Sequence, residues 1–208
     1  DNQIEAFPLR MPQLDIHTIG AGGGSIIWVG PDGTLQIGPQ SAGASPGPAC
    51  YGLGGFEPTI SDANLLLGRL ASDRPLAGGL VLDPAAAKEA FTPVAEAMRT
   101  ENLVALADGA LAVAVAKMAG AVREVSVHRG FDPRNFALVG FGGAGPMHGF
   151  LVADELGMSE VLIPRLPGHL SALGQMMADL RRDFVKAWGG RLAELSPSAL
   201  WQEAETLR

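Results

Sequence analysis

The chain has 208 residues, 47% apolar and 18% charged, with a formal net charge of -7, which is enough apolar side chain to bury a core in one large or two small domains. Its 15 Lys and Arg are scattered among 22 Asp and Glu, so no basic stripe marks a nucleic-acid or anionic-membrane surface. A single cysteine, Cys50, excludes an internal disulfide framework and a cysteine-rich zinc site.

No apolar run reaches the ~18 residues of a membrane span, and no basic segment precedes an apolar one in signal-peptide order. The sequence therefore reads as a cytoplasmic protein without membrane or nucleic-acid partners. Glycine occupies 28 positions, about twice its usual share of roughly 7%. These glycines cluster at turns with no collagen-like period. The chain opens on Asp1 rather than Met and stops within a helical pattern, as a piece cut from a longer protein would.

In chain order, residues 1 to 18 are expected to be extended. At period two this puts Asp15 and His17 on one face, where a carboxylate and an imidazole suit metal or phosphate–water chemistry, or simply fix a strand end. The glycine run Gly22, Gly23 and Gly24 follows. Ser25 to Val29 and Thr34 to Ile37 predict a hairpin across the turn Gly30-Pro-Asp-Gly33. The stretch from Gly38 to Gly55 is nearly all small or turn residues, too long and irregular for a simple connection. Ser61 to Asn64 reads as a helix cap before Leu65 to Leu70, although Asp62 and Asn64 also have the chemistry to hold a substrate or cation.

Residues Leu76 to Leu82 read as a loop. Asp83-Pro84 is a strong helix start, and the helix should run to about Arg99. From Glu101 to about His128 apolar residues recur at helical spacing with Ala and Val between them, predicting a long helix buried on most sides. Phe136 to Val139 should be a parallel-type strand apolar on both faces. A helix from Pro146 to Leu156, a strand at Glu160 to Ile163 and a core helix from Leu170 to Arg182 complete an α/β layer, and Pro197 to Arg208 is again helical.

The run Gly140-Phe-Gly-Gly-Ala-Gly145 carries the strand ending at Val139 into the helix at Pro146. Such a turn frees backbone N–H groups and lets a nucleotide approach the main chain, or it serves only to pack helix on sheet. Its spacing matches neither the dinucleotide fingerprint nor a P-loop. His148, in the first turn of the helix, is placed to lean into the same pocket or to pack. Cys50 has no cation nearby in sequence to lower its pKa and reads as a structural thiol. With no G-x-S-x-G elbow, a Ser-His-Asp hydrolase of that type is disfavoured.

Four collinear segments, Asp15 to Ser25, Gly38 to Gly52, Pro58 to Arg69 and Gly140 to His148, resemble the hydantoinase A/5-oxoprolinase family, which includes N-methylhydantoinase A and acetone and acetophenone carboxylase subunits. The resemblance covers Pro12 to Asp183. It implies an actin-like (sugar kinase/Hsp70-like) ATPase half, a mixed sheet with flanking helices. On that basis residues 1–183 are the second half of an actin-like module, and 184–208 begin a following segment.

The implied chemistry is ATP-driven opening of a cyclic amide such as a hydantoin or 5-oxoproline, or a related carboxylation, with Mg²⁺ and a hydantoinase B-type partner. The resemblance assigns Asp15 and His17 to catalysis. It assigns Gly22, Gly23, Gly24, Gly140, Gly142, Gly143, Gly145 and His148 to nucleotide and phosphate contacts. The family's amino-terminal phosphate-binding segment, an Asp strand with a Gly-Gly-Thr turn, has no counterpart here, so this chain alone is not expected to turn over. The alternative is a non-catalytic module that docks a partner subunit through the Gly38 to Gly55 segment.

Overall fold

The computed structural model describes residues 2–4, 7–9, 16–179 and 196–206. It divides into two compact units, Asp1–Leu170 and Ser171–Arg208; the expected boundary at 183/184 lies outside the described residues, as do Arg181, Arg182 and Asp183.

The first unit begins with the antiparallel pair β1 (Asn2–Ile4) and β2 (Phe7–Leu9). Residues 16 to 19 belong to no paired strand, and residues 10 to 15 of the expected extended run lie outside the described residues. Next comes the expected hairpin, β3 (Ser25–Val29) and β4 (Leu35–Ser41), in which Trp28 pairs with Gln36 and Ile27 with Ile37 and the second strand runs beyond the expected Ile37 into the segment read as irregular. Its inward face carries Ile27 and Ile37, both essentially inaccessible to solvent.

Helix α1 (Ile60–Leu66) starts earlier than the sequence cap at Ser61 to Asn64 implies and ends at Leu66, so the expected helix over Leu65 to Leu70 lies mainly in a turn. Thr59 is the N-cap residue, and Asp62 is the third residue of the helix, completing a capping box by accepting from Thr59 N at 2.8 Å. The Ser61–Asn64 segment is therefore helix, with its side chains buried. Leu76 to Leu82, expected as a loop, holds one short 3-10 turn at Ala77–Gly79.

Helix α2 (Pro84–Ala97) begins as Asp83-Pro84 dictates, with Asp83 Oδ1 accepting from Ala85 N at 2.8 Å. It stops two residues before Arg99, which takes a left-handed φ of 53°. Helix α3 (Leu103–Val125) is capped by Asn102, whose Oδ1 accepts from Ala105 N at 3.0 Å.

Helix α3 is the spine of this unit, packing against α1, β4 and helix α4 (Gly145–Leu156). It buries one stripe, Leu106, Ala107, Ala110, Leu111, Ala114, Val115 and Ala119, rather than most of its circumference. Small side chains on the stripe let neighbouring helices approach closely, while Val104, on the uncovered side, is 57% exposed. An Ala- and Val-rich composition satisfies helical periodicity without specifying which sides are covered. The segment Leu103–Arg129 is long and apolar enough to cross a membrane by length and composition, a test that a core helix of this kind also passes. Lys117 Nζ donates to Ile37 O at 2.6 Å, and Arg123 Nη2 to Glu155 O at 3.1 Å, fixing α3 to β4 and α4.

The parallel pair β5 (Leu138–Val139) and β6 (Val161–Leu162) brackets α4 in sequence. Val139 is 47% exposed and Leu162 50%, so this sheet is not covered on both faces. A run of apolar residues shows that burial is possible, but not that a second layer is present. The described strands make three two-stranded sheets rather than one mixed sheet, and the α/β content with flanking helices stands. In the second unit, α5 (Leu170–Met177) carries no buried residue and is not a core helix; α6 spans Pro197–Thr206.

Candidate functional site

The glycine turn is built by the need to pass from β5 into α4 within five residues. Gly140 N donates to Leu162 O at 3.0 Å, extending the strand pairing by one bond. A Cβ on Gly140 would sit 2.8 Å from Ile163 Cδ1 and 3.2 Å from Gly145 O, so any larger residue must displace the Ile163 side chain and crowd the start of α4. Gly142 takes a φ of 83° and donates from its amide to Pro167 O at 2.8 Å, a conformation that a Cβ disfavours. Helix α4 opens at Gly145-Pro146 with no side-chain cap, leaving the positive end of its dipole without a side-chain acceptor.

Beside this turn lies a cavity of about 320 Å³. Gly140, Phe141, Gly145 and His148 line it from the turn and α4, Ala21 and Gly22 from the first glycine loop, and Met118 and Val122 from α3. Its walls are mainly apolar, in keeping with sites that take a flat ring and fix it with a few polar groups. The first glycine loop is tied in place by Ser61 N, which donates to Gly23 O at 2.8 Å, and by Gly22 N, which donates to Ser25 Oγ at 2.8 Å.

The structure thus brings together Gly22, Gly140, Gly145 and His148, more than a hundred residues apart at the extremes. Gly23 is adjacent, with an ideal Cβ 3.8 Å from Ala144 Cβ. Gly24 turns toward Ser41 and Gly43 instead, and Gly142 and Gly143 lie on the turn without lining the cavity. His17 is exposed and does not line this cavity, and Asp15 lies outside the described residues.

Sequence reasoning missed Asn64 as a partner of His148. Asn64 Nδ2 lies 3.1 Å from His148 Nε2 and donates to Ile60 O at 2.8 Å. Both side chains are buried, Asn64 fully and His148 to 3% exposure. Burial, and secondarily the positive charge of Arg69, holds the His148 pKa below its ordinary value, so the ring is neutral at physiological pH. Nothing local in the sequence links positions 84 residues apart. Met118 and Val122 were legible only as core periodicity.

Cys50 is buried, and burial followed by the neighbouring Asp62 carboxylate pushes its thiol above the ordinary range. It is not an activated nucleophile. Among the described residues no three His, Cys, Asp or Glu side chains converge to hold a metal ion.

The cavity lies beside the glycine turn at the carboxyl end of a parallel strand and next to a helix N-terminus, the position at which open α/β sheets bind ligands. Residues 1–184 match the Hydantoinase/oxoprolinase family, and the chain belongs to that family. It is 44% identical over 184 residues to the caprolactamase subunit alpha of Pseudomonas jessenii, across 88% of this chain and 26% of that one. It is 40% identical over 202 residues to 5-oxoprolinase 1 of Arabidopsis thaliana, across 88% of this chain and 16% of that one. The crystal structure of ATP-dependent caprolactamase from Pseudomonas jessenii is similar at a TM-score of 0.74 and 43% identity, covering 93% of this chain and 28% of that one. The chain therefore spans about a quarter or less of the length of these relatives.

Proposed function

We propose that this chain contributes the adenosine-binding part of an ATP-dependent enzyme that opens cyclic amides, with the cavity between Gly22 and the Gly140 to Gly145 turn as the nucleotide site. The observation that carries this is the convergence of two glycine loops, far apart in sequence, on one apolar-walled cavity beside an uncapped helix N-terminus. Similarity to an ATP-dependent caprolactamase and to a 5-oxoprolinase supports both the nucleotide and the cyclic amide. An actin-like arrangement, in which this segment is the second of two related halves, accounts for a cavity open on one side.

The residues present fit a nucleoside: Met118, Val122 and Val152 offer apolar surface to a base, while Gly22, Gly140 and Gly145 keep the main chain accessible. Bound ATP would supply a phosphoryl group to make a poor amide electrophile reactive. The described residues do not fit a protein-only metal cage, so Mg²⁺ is assigned to nucleotide phosphates and to carboxylates elsewhere in the parent. Asp15 and His17 are kept as the candidate catalytic pair because the family resemblance implies that role for them. The name subunit alpha of the caprolactamase relative supports a partner subunit, for which the family resemblance implies a hydantoinase B type.

The test is calorimetric titration of ADP into the protein and into Gly22→Val, a cavity-lining position whose added Cβ meets nothing within 4 Å. Binding by the wild type and loss in the variant, with unchanged melting temperature, is the expected result. A second reading, docking of a partner through the 38–55 segment, is favoured by exposed Leu53 at 61% and, just beyond it, Phe56 at 78%. Absence of ADP binding by both the chain and its full-length parent would favour that second reading.

A further inference from the structure

We propose that Asn64 is a positioning residue that fixes His148 as the neutral tautomer protonated on Nδ1, so that the cavity wall presents a bound nucleotide with one imidazole N–H donor. This deepens the nucleotide reading and rests on it for the ligand, but not for the tautomer.

The amide of Asn64 is oriented by Ile60. Its Nδ2 sits 2.8 Å from Ile60 O, and a backbone carbonyl only accepts. The opposite orientation would set Oδ1 against that carbonyl, two acceptors in contact, and would leave Nδ2 without a carbonyl partner. With one Nδ2 hydrogen on Ile60 O, the second points to His148 Nε2 at 3.1 Å. Nε2 must then offer its lone pair, and a neutral ring carries its hydrogen on Nδ1. An imidazolium would place N–H against N–H in a site where both side chains are buried.

Among the described residues Nδ1 makes no hydrogen bond, and it is not one of the fully enclosed orphaned atoms. His148 lines the cavity while its Nε2 is turned to α1, so Nδ1–H is the donor left for a ligand. The arrangement carries a cost. Asn64 Oδ1 is buried without a hydrogen-bond partner, a deficit that would be avoided by an apolar residue at that position. The asparagine at this position is explained by what its Nδ2 does to His148. A single donor on an apolar wall recognises an acceptor in the plane of a flat ring, which on the adenine of the proposed nucleotide is a ring nitrogen.

The experiment is long-range proton–nitrogen NMR on the full chain labelled with ¹⁵N-histidine at pH 7.5, with His148 assigned by its loss in His148→Gln. The expected spectrum shows Nδ1 protonated and Nε2 unprotonated; protonation of Nε2 would overturn the proposal whether or not the protein binds nucleotide. In Asn64→Asp the carboxylate accepts only, and the proton is expected to move to Nε2, with ADP binding weakened about tenfold, the worth of one hydrogen bond. Should that variant not fold, the wild-type spectrum still decides the tautomer. On adding ADP the Nδ1 resonance should shift. ADP binding with Nδ1 unmoved would sink the donor role and leave the nucleotide site standing. No ADP binding by chain or parent would remove the nucleotide reading while the tautomer remained established by its own spectrum.

Discussion

Asp62 Oδ1 accepts the amide hydrogen of Cys50 at 2.7 Å across the interior, while its Oδ2 accepts from both the amide and the hydroxyl of Thr59 at 2.8 and 2.7 Å. One buried carboxylate thus caps α1 and anchors the 3-10 turn at Ala49–Tyr51. Asp62→Ala would leave these donors unpaired in a dry site, and we expect a loss on the order of 3 kcal/mol. Asp62→Asn, which retains one acceptor oxygen, should lose less. Chemical denaturation of the three proteins measures both; an Ala variant as stable as the wild type would refute the anchoring role.

Cys50 should be inert in the native protein. Burial and the Asp62 carboxylate raise its pKa above the ordinary 9.0. The unfolded chain therefore releases this proton first as pH rises. Its contribution to stability is intact below about pH 9 and declines above it. Labelling with a thiol reagent at pH 8 should track global unfolding, and rapid modification of the folded protein would contradict this.

The His148 pKa is lowered, chiefly by burial and then by Arg69, from an ordinary 6.5. Below that value the unfolded chain gains a proton that the folded ring resists. Stability is therefore full above about pH 6.5 and falls as pH drops toward the folded value. Thermal melts from pH 7.5 to 5 should show this decline. His148→Gln should flatten part of it, and identical pH slopes for both proteins would count against a buried neutral imidazole.

The two glycine loops should respond differently to added side chains. A Cβ on Gly22 meets nothing within 4 Å, and the residue lines the cavity. Gly22→Val is expected to leave the melting temperature nearly unchanged and to reduce ADP binding at least tenfold. Gly140→Val must push Ile163 and the backbone of Gly145 apart, and should destabilise by about 2 kcal/mol or more. Equal stability of the two variants would show that the turn is not closely packed.

The sequence alone determined the hairpin, the starts of α2 and α4 and the length of α3, because these depend on turn chemistry, caps and local periodicity that neighbouring residues carry. It also marked both glycine loops, and four segments were enough to place the chain in its family. Tertiary structure decided which loops meet. Helix α3, packed against α1 and α4, lets Gly22, Gly140 and His148 share one cavity wall with Met118 and Val122, a long-range result that no local pattern encodes. It also decided that Asn64 serves His148 and Asp62 serves Thr59 and Cys50, since the partner of a buried polar group is set by whatever packing brings within 3 Å. Finally, it limited the burial of α3 to one stripe and left α5 exposed: an apolar periodicity identifies a face able to be covered, and only the rest of the fold supplies the cover.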